Sequence, residues 1–172
     1  MKIAAISVAV LVAVVAALAA WLGMFSSVTV VEEEVGPLAF VYVQEATTDF
    51  SKIGKITTEL GERLEQAGLT QRKPAQLYFP AGRGIQNQIG FVVEGSMGQG
   101  VLDATAFFRS VPVQRYAVVR FPFRNPLSFL AAYHKVNSKL RAYRKEKGIP
   151  DSSFMVILDG ATIVYLQPVT PG

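Results

Sequence analysis

The stretch FMVILDGATIVYL at residues 154–166 decides the fold, because it carries the strongest short hairpin signal in the chain. Two apolar runs rich in β-branched residues flank Asp159-Gly160, and a two-residue Asp-Gly turn of type I′ needs positive φ at both positions. We therefore predict two antiparallel strands, at 154–158 and 161–166. Because a hairpin leaves one apolar face and two open edges, other elements of the chain must cover and pair it.

A strand and a helix precede this hairpin. Residues 113–121 are rich in β-branched and aromatic residues and predict a strand. Asn125-Pro126 then places a cap and an N1 proline at a helix start, and Gly148 with Pro150 ends the helix. The second half of the chain thus reads strand–helix–strand–strand. The apolar stripe of the helix consists of Leu130, Tyr133, Val136, Leu140 and Tyr143.

The first half repeats this order. Apolar runs at 28–31 and 37–43 predict strands. Residues 49–66 have apolar positions at helical spacing, with Asp49 suited to the N-cap and Gly68 to the C-terminal stop. A helix is therefore predicted after the second of these strands.

Two further short strands complete the first half, at 76–79 and 89–94. Residues 80–88 between them, which include Pro80 and two glycines, are predicted to form a loop. The joining stretch 95–110 is Gly-rich at first and is predicted to contribute a short ordered piece of its own.

The repeated order predicts an α+β fold. Two strand–helix–strand–strand units, at about 28–95 and 111–169, would form a curved antiparallel sheet with both helices on one face. The other face, at the junction between the halves, would then be a groove lined by strand residues. We therefore expect one domain over residues 27–172, with any ligand site in the groove and not on the helices.

The N-terminal segment predicts a membrane anchor. The run from Ile3 to Phe25 carries no charge and would be about 34 Å long as a helix, against a hydrocarbon core of roughly 30 Å. Residues 1–26 are therefore expected to form one transmembrane helix, with Lys2 inside and the domain extracytoplasmic. The alternative is a cleaved signal peptide, for which residues 17–19 resemble a cleavage site.

Composition excludes several kinds of chemistry. The 172 residues include no cysteine, so disulfides, thiolate zinc sites and cysteine nucleophiles are excluded. His134 is the only histidine and cannot build a zinc site alone, so no metal or cofactor is expected. The net charge of +4 is modest and spread out, and no nucleic acid partner is expected.

Five residues are candidates for a ligand site in the groove. Tyr42, Tyr78, Tyr116 and Tyr165 lie on predicted strands and could present rings and hydroxyls to it. Glu94 ends an apolar strand on the same face as Val92, where a half-buried carboxylate would attract a cation. The competing interpretation of Glu94 is a strand-end residue that faces water.

Three motifs give the chain a family resemblance. They are QLYFP at 76–80, YAVVRFPF at 116–123 and IVYLQPV at 163–169. With the order of elements over residues 28–169, they resemble the GyrI-like family, the effector-binding domain of bacterial transcription activators. The resemblance implies non-enzymatic binding of small, often cationic or aromatic compounds, or of a protein partner. This chain departs from the family at 154–157, where drug-binding members use a glutamate.

These observations predict a membrane-anchored, non-enzymatic domain. It would bind a hydrophobic or cationic small molecule, or a protein partner, in the groove between the repeats, and residues 3–25 would contact the membrane. One alternative is a hydrolase of strained electrophilic compounds, in which Glu94 acts with a nearby tyrosine, as some GyrI-like relatives do. Another is a structural adaptor at the membrane.

Overall fold

A computed structural model of the chain describes residues 2–21, 26–45, 47, 49–81, 84–94 and 106–169. Three helices and eight strands lie within these residues. In chain order they are α1 (Lys2–Trp21), β1 (Val30–Val35), β2 (Leu38–Glu45), α2 (Phe50–Gln66), β3 (Arg72–Ala81), β4 (Gly84–Val93), β5 (Phe107–Val111), β6 (Gln114–Pro122), α3 (Ser128–Lys147), β7 (Phe154–Asp159) and β8 (Thr162–Pro168).

The strands form one antiparallel sheet in the order β1-β6-β8-β7-β3-β4-β2-β5. The two predicted units are present as β2–α2–β3–β4 and β6–α3–β7–β8, and they meet where β3 pairs with β7. Each unit is preceded by an additional strand that pairs with the other unit, since β1 lies beside β6 and β5 beside β2. The α+β class is confirmed, and this exchange of strands was not predicted.

Two short connections force the sheet to curl. Only Gly36-Pro37 separates β1 from β2, and only Pro112-Val113 separates β5 from β6. In a flat sheet each of these pairs would lie six strand spacings apart, roughly 29 Å. The connections reach about 11 Å at most. The sheet therefore curves until its two edges approach each other, which makes one face concave.

The helices α2 and α3 lie on the same, outer face of the sheet. Leu60 and Leu64 of α2 pack with Phe91, and Val136 of α3 packs with Tyr165. The strand register from Phe91 to Tyr165 puts both contacts on one face, because alternate strand residues point the same way. The concave inner face has its own buried cluster of Phe40, Tyr42, Ala75, Leu77, Val92, Tyr116, Val118, Met155, Ile157 and Leu166.

The ends of the helices follow the sequence signals, with one shift. Asp49 caps α2 by accepting hydrogen bonds from the backbone of Ser51 and Lys52, and Gly148 ends α3 with φ of 66°. The helix α3 begins at Ser128 instead of 126. The side chain of Asn125 accepts a hydrogen bond from the Leu127 backbone at 2.9 Å, so the Asn-Pro pair forms a turn before the helix.

The hairpin at the end of the chain is confirmed, but its turn is displaced by one residue. Asp159 still pairs with Thr162, so the two central residues are Gly160 and Ala161. Only Gly160 has positive φ, at 57°, which is typical of a type II′ turn and not of the predicted type I′. The glycine supplies the one left-handed position that such a turn requires.

The strands β3 and β4 are longer than predicted. Their pairing runs from Arg72 opposite Val93 to Ala81 opposite Gly84, so the loop predicted over 80–88 is wrong. The polar residues of that stretch extend the ladder through their backbones, which hydrophobic patterning does not detect. In the joining stretch, β5 is the ordered piece that the sequence predicted, and residues 95–105 lie outside the described part.

The predicted membrane location is wrong. Among the residues that the structure describes, no helix combines the length and the apolar character needed to cross a membrane. The helix α1 ends at Trp21, before the end of the apolar run, and Arg124 and Lys135 of the domain donate hydrogen bonds to the backbone carbonyls of Ala20 and Ser26. Contact with a membrane is likewise without support. The domain boundary near residue 26 stays a prediction.

Gly90 should be the glycine on which the sheet depends most. A Cβ there would lie 1.9 Å from the Val41 carbonyl oxygen and 2.7 Å from the Tyr42 Cα, both of which are backbone atoms. We expect Gly90→Ala to lower the free energy of unfolding by at least about 2 kcal/mol in urea denaturation followed by circular dichroism.

The matched control for this substitution is Gly54→Ala on α2. A Cβ at Gly54 would meet nothing within 4 Å, so the change should raise stability by about 0.5–1 kcal/mol. Equal effects of the two substitutions would contradict the close approach of β2 and β4 at Gly90.

Candidate functional site

The concave inner face contains a cavity of about 560 Å³. Its wall is mainly apolar and includes Val35, Pro37, Leu38, Val92, Ile157, Val164 and Leu166. Its polar groups come from Lys73, Glu94, Ser110, Arg120 and Asp159. The cavity exists because the curl brings β1 and the start of β2 over the ends of β3, β7 and β8.

The charged groups of the cavity form two ion-pair groups. Lys73 Nζ lies 3.7 Å from Glu94 Oε1 and 3.2 Å from Asp159 Oδ2. Arg120 binds both carboxylate oxygens of Glu33, at 2.6 and 2.7 Å, and this hydrogen bonding holds the pKa of Glu33 below its usual value. Two carboxylates share one lysine, so this rim carries one negative charge that no cation among these residues balances.

An arginine occupies another part of the inner face. The guanidinium carbon of Arg109 lies 5.6 Å from the centre of the Tyr42 ring and 5.4 Å from that of Phe79. Tyr42 also stacks on Phe40 and Phe107, with ring centres 5.3 and 5.7 Å away. These distances are typical of cation–π contacts, so the inner face already holds a cation among aromatic rings.

Three of the five predicted site residues are on the inner side of the sheet. Tyr42 and Tyr116 are buried in the inner cluster, and Glu94 lies at the rim of the cavity with 60% of its side chain exposed. The Tyr116 hydroxyl accepts a hydrogen bond from Gln114 Nε2 at 2.8 Å. Burial raises the pKa of Tyr116, so this phenol stays neutral at physiological pH.

The other two predicted residues lie on the outer face. The ring of Phe154 stacks on Tyr78 at 4.9 Å and on Tyr165 at 6.5 Å, beneath α3. Burial raises the pKa of Tyr78 to about 12, and burial also raises the pKa of Tyr165. Tyr78 and Tyr165 therefore do not meet Tyr42 and Tyr116 in one concavity.

The sequence reasoning missed four charged residues of the inner face. Lys73, Arg120 and Asp159 each lie two positions from an inner-cluster residue on the same strand, so strand alternation could have found them. Arg109 lies on β5, a strand too short and exposed to give a clear periodic signal.

Two observations on the described residues bear on the chemistry of the cavity. Within the described part of the chain, no three His, Asp or Glu side chains are close enough to hold a metal ion. Glu94 is engaged with Lys73, and no described tyrosine lines the cavity beside it. What the cavity offers is an apolar wall with a charged rim.

The fold has counterparts among solved structures. No protein-family profile and no curated protein matches the sequence. The C-terminal domain of EcmrR superposes with a TM-score of 0.64 at 17% identity, covering 82% of this chain and 96% of that domain. EcmrR in its complex with DNA gives a TM-score of 0.63 at 16% identity and 82% coverage, and this chain spans only 57% of its length.

A third counterpart was solved with a ligand. SAV2435 bound to tetraphenylphosphonium superposes with a TM-score of 0.53 at 15% identity, covering 83% of this chain and 94% of that one. At these identities the likeness establishes the fold alone. This chain has the GyrI-like fold, as the resemblance in its motifs predicted.

The buried tyrosines of the outer face should make the protein sensitive to alkali. Between pH 10 and 12 the unfolded chain loses the phenol proton of Tyr78 while the folded protein keeps it. The folded state then binds more protons, so the free energy of unfolding falls as the pH rises through this range. Urea denaturation at a series of pH values measures the decline. Tyr165→Phe should make the decline shallower than in the unaltered protein, because it removes a second buried phenol whose pKa is raised. An equal decline in the two proteins would contradict the burial of Tyr165.

Proposed function

We propose that this chain is a non-enzymatic binding domain whose inner-face cavity holds a hydrophobic organic cation. The observation that carries the proposal is the cavity of about 560 Å³, with its apolar wall and its surplus carboxylate. Small-molecule sites in proteins have volumes of roughly 300–1,000 Å³ and a few polar groups in a mainly apolar lining.

The charge of the rim favours a cationic ligand over an anionic one. Arg120 is neutralised by the bidentate bond to Glu33, and Lys73 can balance only one of Glu94 and Asp159. Both of these carboxylates have about half of their side chain exposed and can turn toward a ligand. An anion in the cavity would meet the same two carboxylates, and Arg109, the other cation described on the inner face, lies outside the cavity lining.

The aromatic part of the inner face already binds a cation of the protein itself. The guanidinium of Arg109 packs on Tyr42 and Phe79, and neither ring lines the cavity, so the charged rim is the part of the site that selects a cation. Among the predicted site residues, Glu94 acts in this proposal at the rim, while Tyr42 and Tyr116 are buried in the inner-face cluster outside the cavity lining. Tyr78 and Tyr165 stabilise the contact with α3.

One structural counterpart is consistent with this ligand class. SAV2435, which shares the fold, was solved with tetraphenylphosphonium, a hydrophobic cation. No observation favours the hydrolase alternative, since Glu94 has no tyrosine beside it in the described cavity. The adaptor alternative would be favoured by an inner face that its own side chains fill completely, and this one retains a cavity.

The charge of the rim should control affinity for cations. We expect the full-length chain to bind tetraphenylphosphonium in isothermal titration calorimetry, and Glu94→Gln to weaken that binding about two- to fivefold, as for an exposed ion pair. Lys73→Met should strengthen the binding of tetraphenylphosphonium, because the substitution releases two carboxylates from their ion pairs with Lys73. Neutral triphenylphosphine oxide should be insensitive to both changes.

The control for these charge changes is Glu59→Gln. Glu59 is an exposed glutamate on α2, paired with Lys55 at 3.8 Å and remote from the inner face. Glu59→Gln should leave both ligands unaffected. Equal losses for Glu59→Gln and Glu94→Gln would contradict a role for the rim.

Filling the cavity should abolish binding whatever the charge of the ligand. Val164 lines the cavity and is only partly buried, so Val164→Trp should occupy the space without disrupting the core. We expect at least a tenfold loss for tetraphenylphosphonium and for the phosphine oxide. Val113→Trp, an exposed position in the connection before β6, is the control. Unchanged affinity in Val164→Trp would place the ligand elsewhere.

A further inference from the structure

A second cavity, of about 170 Å³, lies on the outer face of the sheet beside α3. The sheet separates it from the inner-face cavity, and the two have no lining residue in common. Its helical wall is formed by Tyr133, Asn137, Leu140, Arg141 and Arg144. These positions recur at three and four residues, so they form one stripe along α3.

The cavity has a surplus of positive charge. Arg144 donates a hydrogen bond through Nη1 to Asp151, whose side chain is 72% exposed. Arg141 has no ion-pair partner among the described residues. Burial, and after it the neighbouring positive charge of Arg141, lower the pKa of Arg144. The lining therefore holds two guanidinium groups and one exposed carboxylate, which binds Arg144.

Arg144 also has an unsatisfied donor. Its Nε is buried and has no hydrogen-bond partner among the described residues. A buried donor without an acceptor lowers stability by about 1–3 kcal/mol. A bound acceptor that lets this guanidinium reorient would therefore stabilise the site. A carboxylate or phosphate suits this role best, because its two oxygens match the fork of an arginine side chain.

The remaining walls of the cavity fit a flat ring. Phe154 lines the cavity and is held in place by stacking on Tyr78 and Tyr165. Tyr133 on α3 is half-exposed and lies at the opposite wall. Aromatic rings in such positions favour offset or edge contacts with a planar ligand.

A hydroxyl group provides a further polar contact. Ser152 lines the cavity, and its Oγ accepts a hydrogen bond from Gln167 Nε2 at 2.7 Å. Because Ser152 is the acceptor in that bond, its hydroxyl hydrogen can be donated to a ligand. The side-chain amide of Asn137 lies in the lining as well.

We propose that this outer cavity binds a small aromatic anion, with its acidic group on Arg141 and Arg144 and its ring between Phe154 and Tyr133. The ligand class is one aromatic ring that carries a single carboxylate or phosphate group. The site differs from the inner-face cavity in its charge as well as its position, and it does not depend on the function proposed for that cavity.

Benzoate and phenyl phosphate are suitable probes, with benzamide as the neutral analogue of benzoate. We expect the full-length chain to bind at least one of the two anions. If it binds benzoate, it should bind benzamide about tenfold more weakly or not at all. Arg141→Gln should weaken binding of the anion about tenfold or more, as the loss of a charged hydrogen bond does. Arg141 is exposed, so the variant should fold normally.

The matched control is Lys145→Gln, which removes one exposed positive charge from the same helix outside the cavity lining. It should leave binding unchanged, and so should Val164→Trp in the inner cavity. In nuclear magnetic resonance spectra, the side-chain amide signals of Asn137 should shift on addition of the anion. The proposal is overturned if neither anion binds at millimolar concentration, if Arg141→Gln and Lys145→Gln have equal effects, or if the Asn137 signals do not move.

Discussion

The rest of the structure depends on two connections of two residues each, Gly36-Pro37 and Pro112-Val113. Each joins strands that are far apart in the order of the sheet, and neither could span a flat one. The curl that results creates a concave face, and the same curl leaves the convex face for α2 and α3. The cavity on one side and the layer of helices on the other are therefore two results of one constraint, which is the short length of these two connections.

Much of this architecture could be predicted from the sequence. The helical spacing after Asp49 and the apolar stripe before Gly148 located both domain helices, and the order of elements indicated two similar units. The exchange of β1 and β5 could not be predicted, because pairing between distant strands leaves no periodic signal in either strand. The polar residues at 86–88 were missed for a related reason, since their strand is held by backbone hydrogen bonds.

The candidate sites were predicted less well than the fold. Residue type suggested that Tyr42, Tyr78, Tyr116 and Tyr165 would act together, but the face on which a strand residue lies depends on register. Tyr78 directly follows the inner-face residue Leu77 on the same strand, so its side chain lies on the opposite face. Glu94 was expected on the same face as Val92, and it lies at the rim of the inner-face cavity. The apolar run before Trp21 shows how composition alone can mislead, because it predicted a membrane span that the described helices do not provide.

The exchange of first strands has a consequence for how the chain folds. β1 pairs with β6, so Glu33 lies opposite Tyr116, far along the sequence, and β5 must return to β2 in the same way. β1 cannot pair before β6 has been synthesised, and the second edge of β3 stays open until β7 has been synthesised. Folding that relies on such distant contacts is slow compared with that of helical domains, because the loops must close before the contacts form. The two similar halves therefore share one continuous sheet, in which each depends on strand pairing with the other.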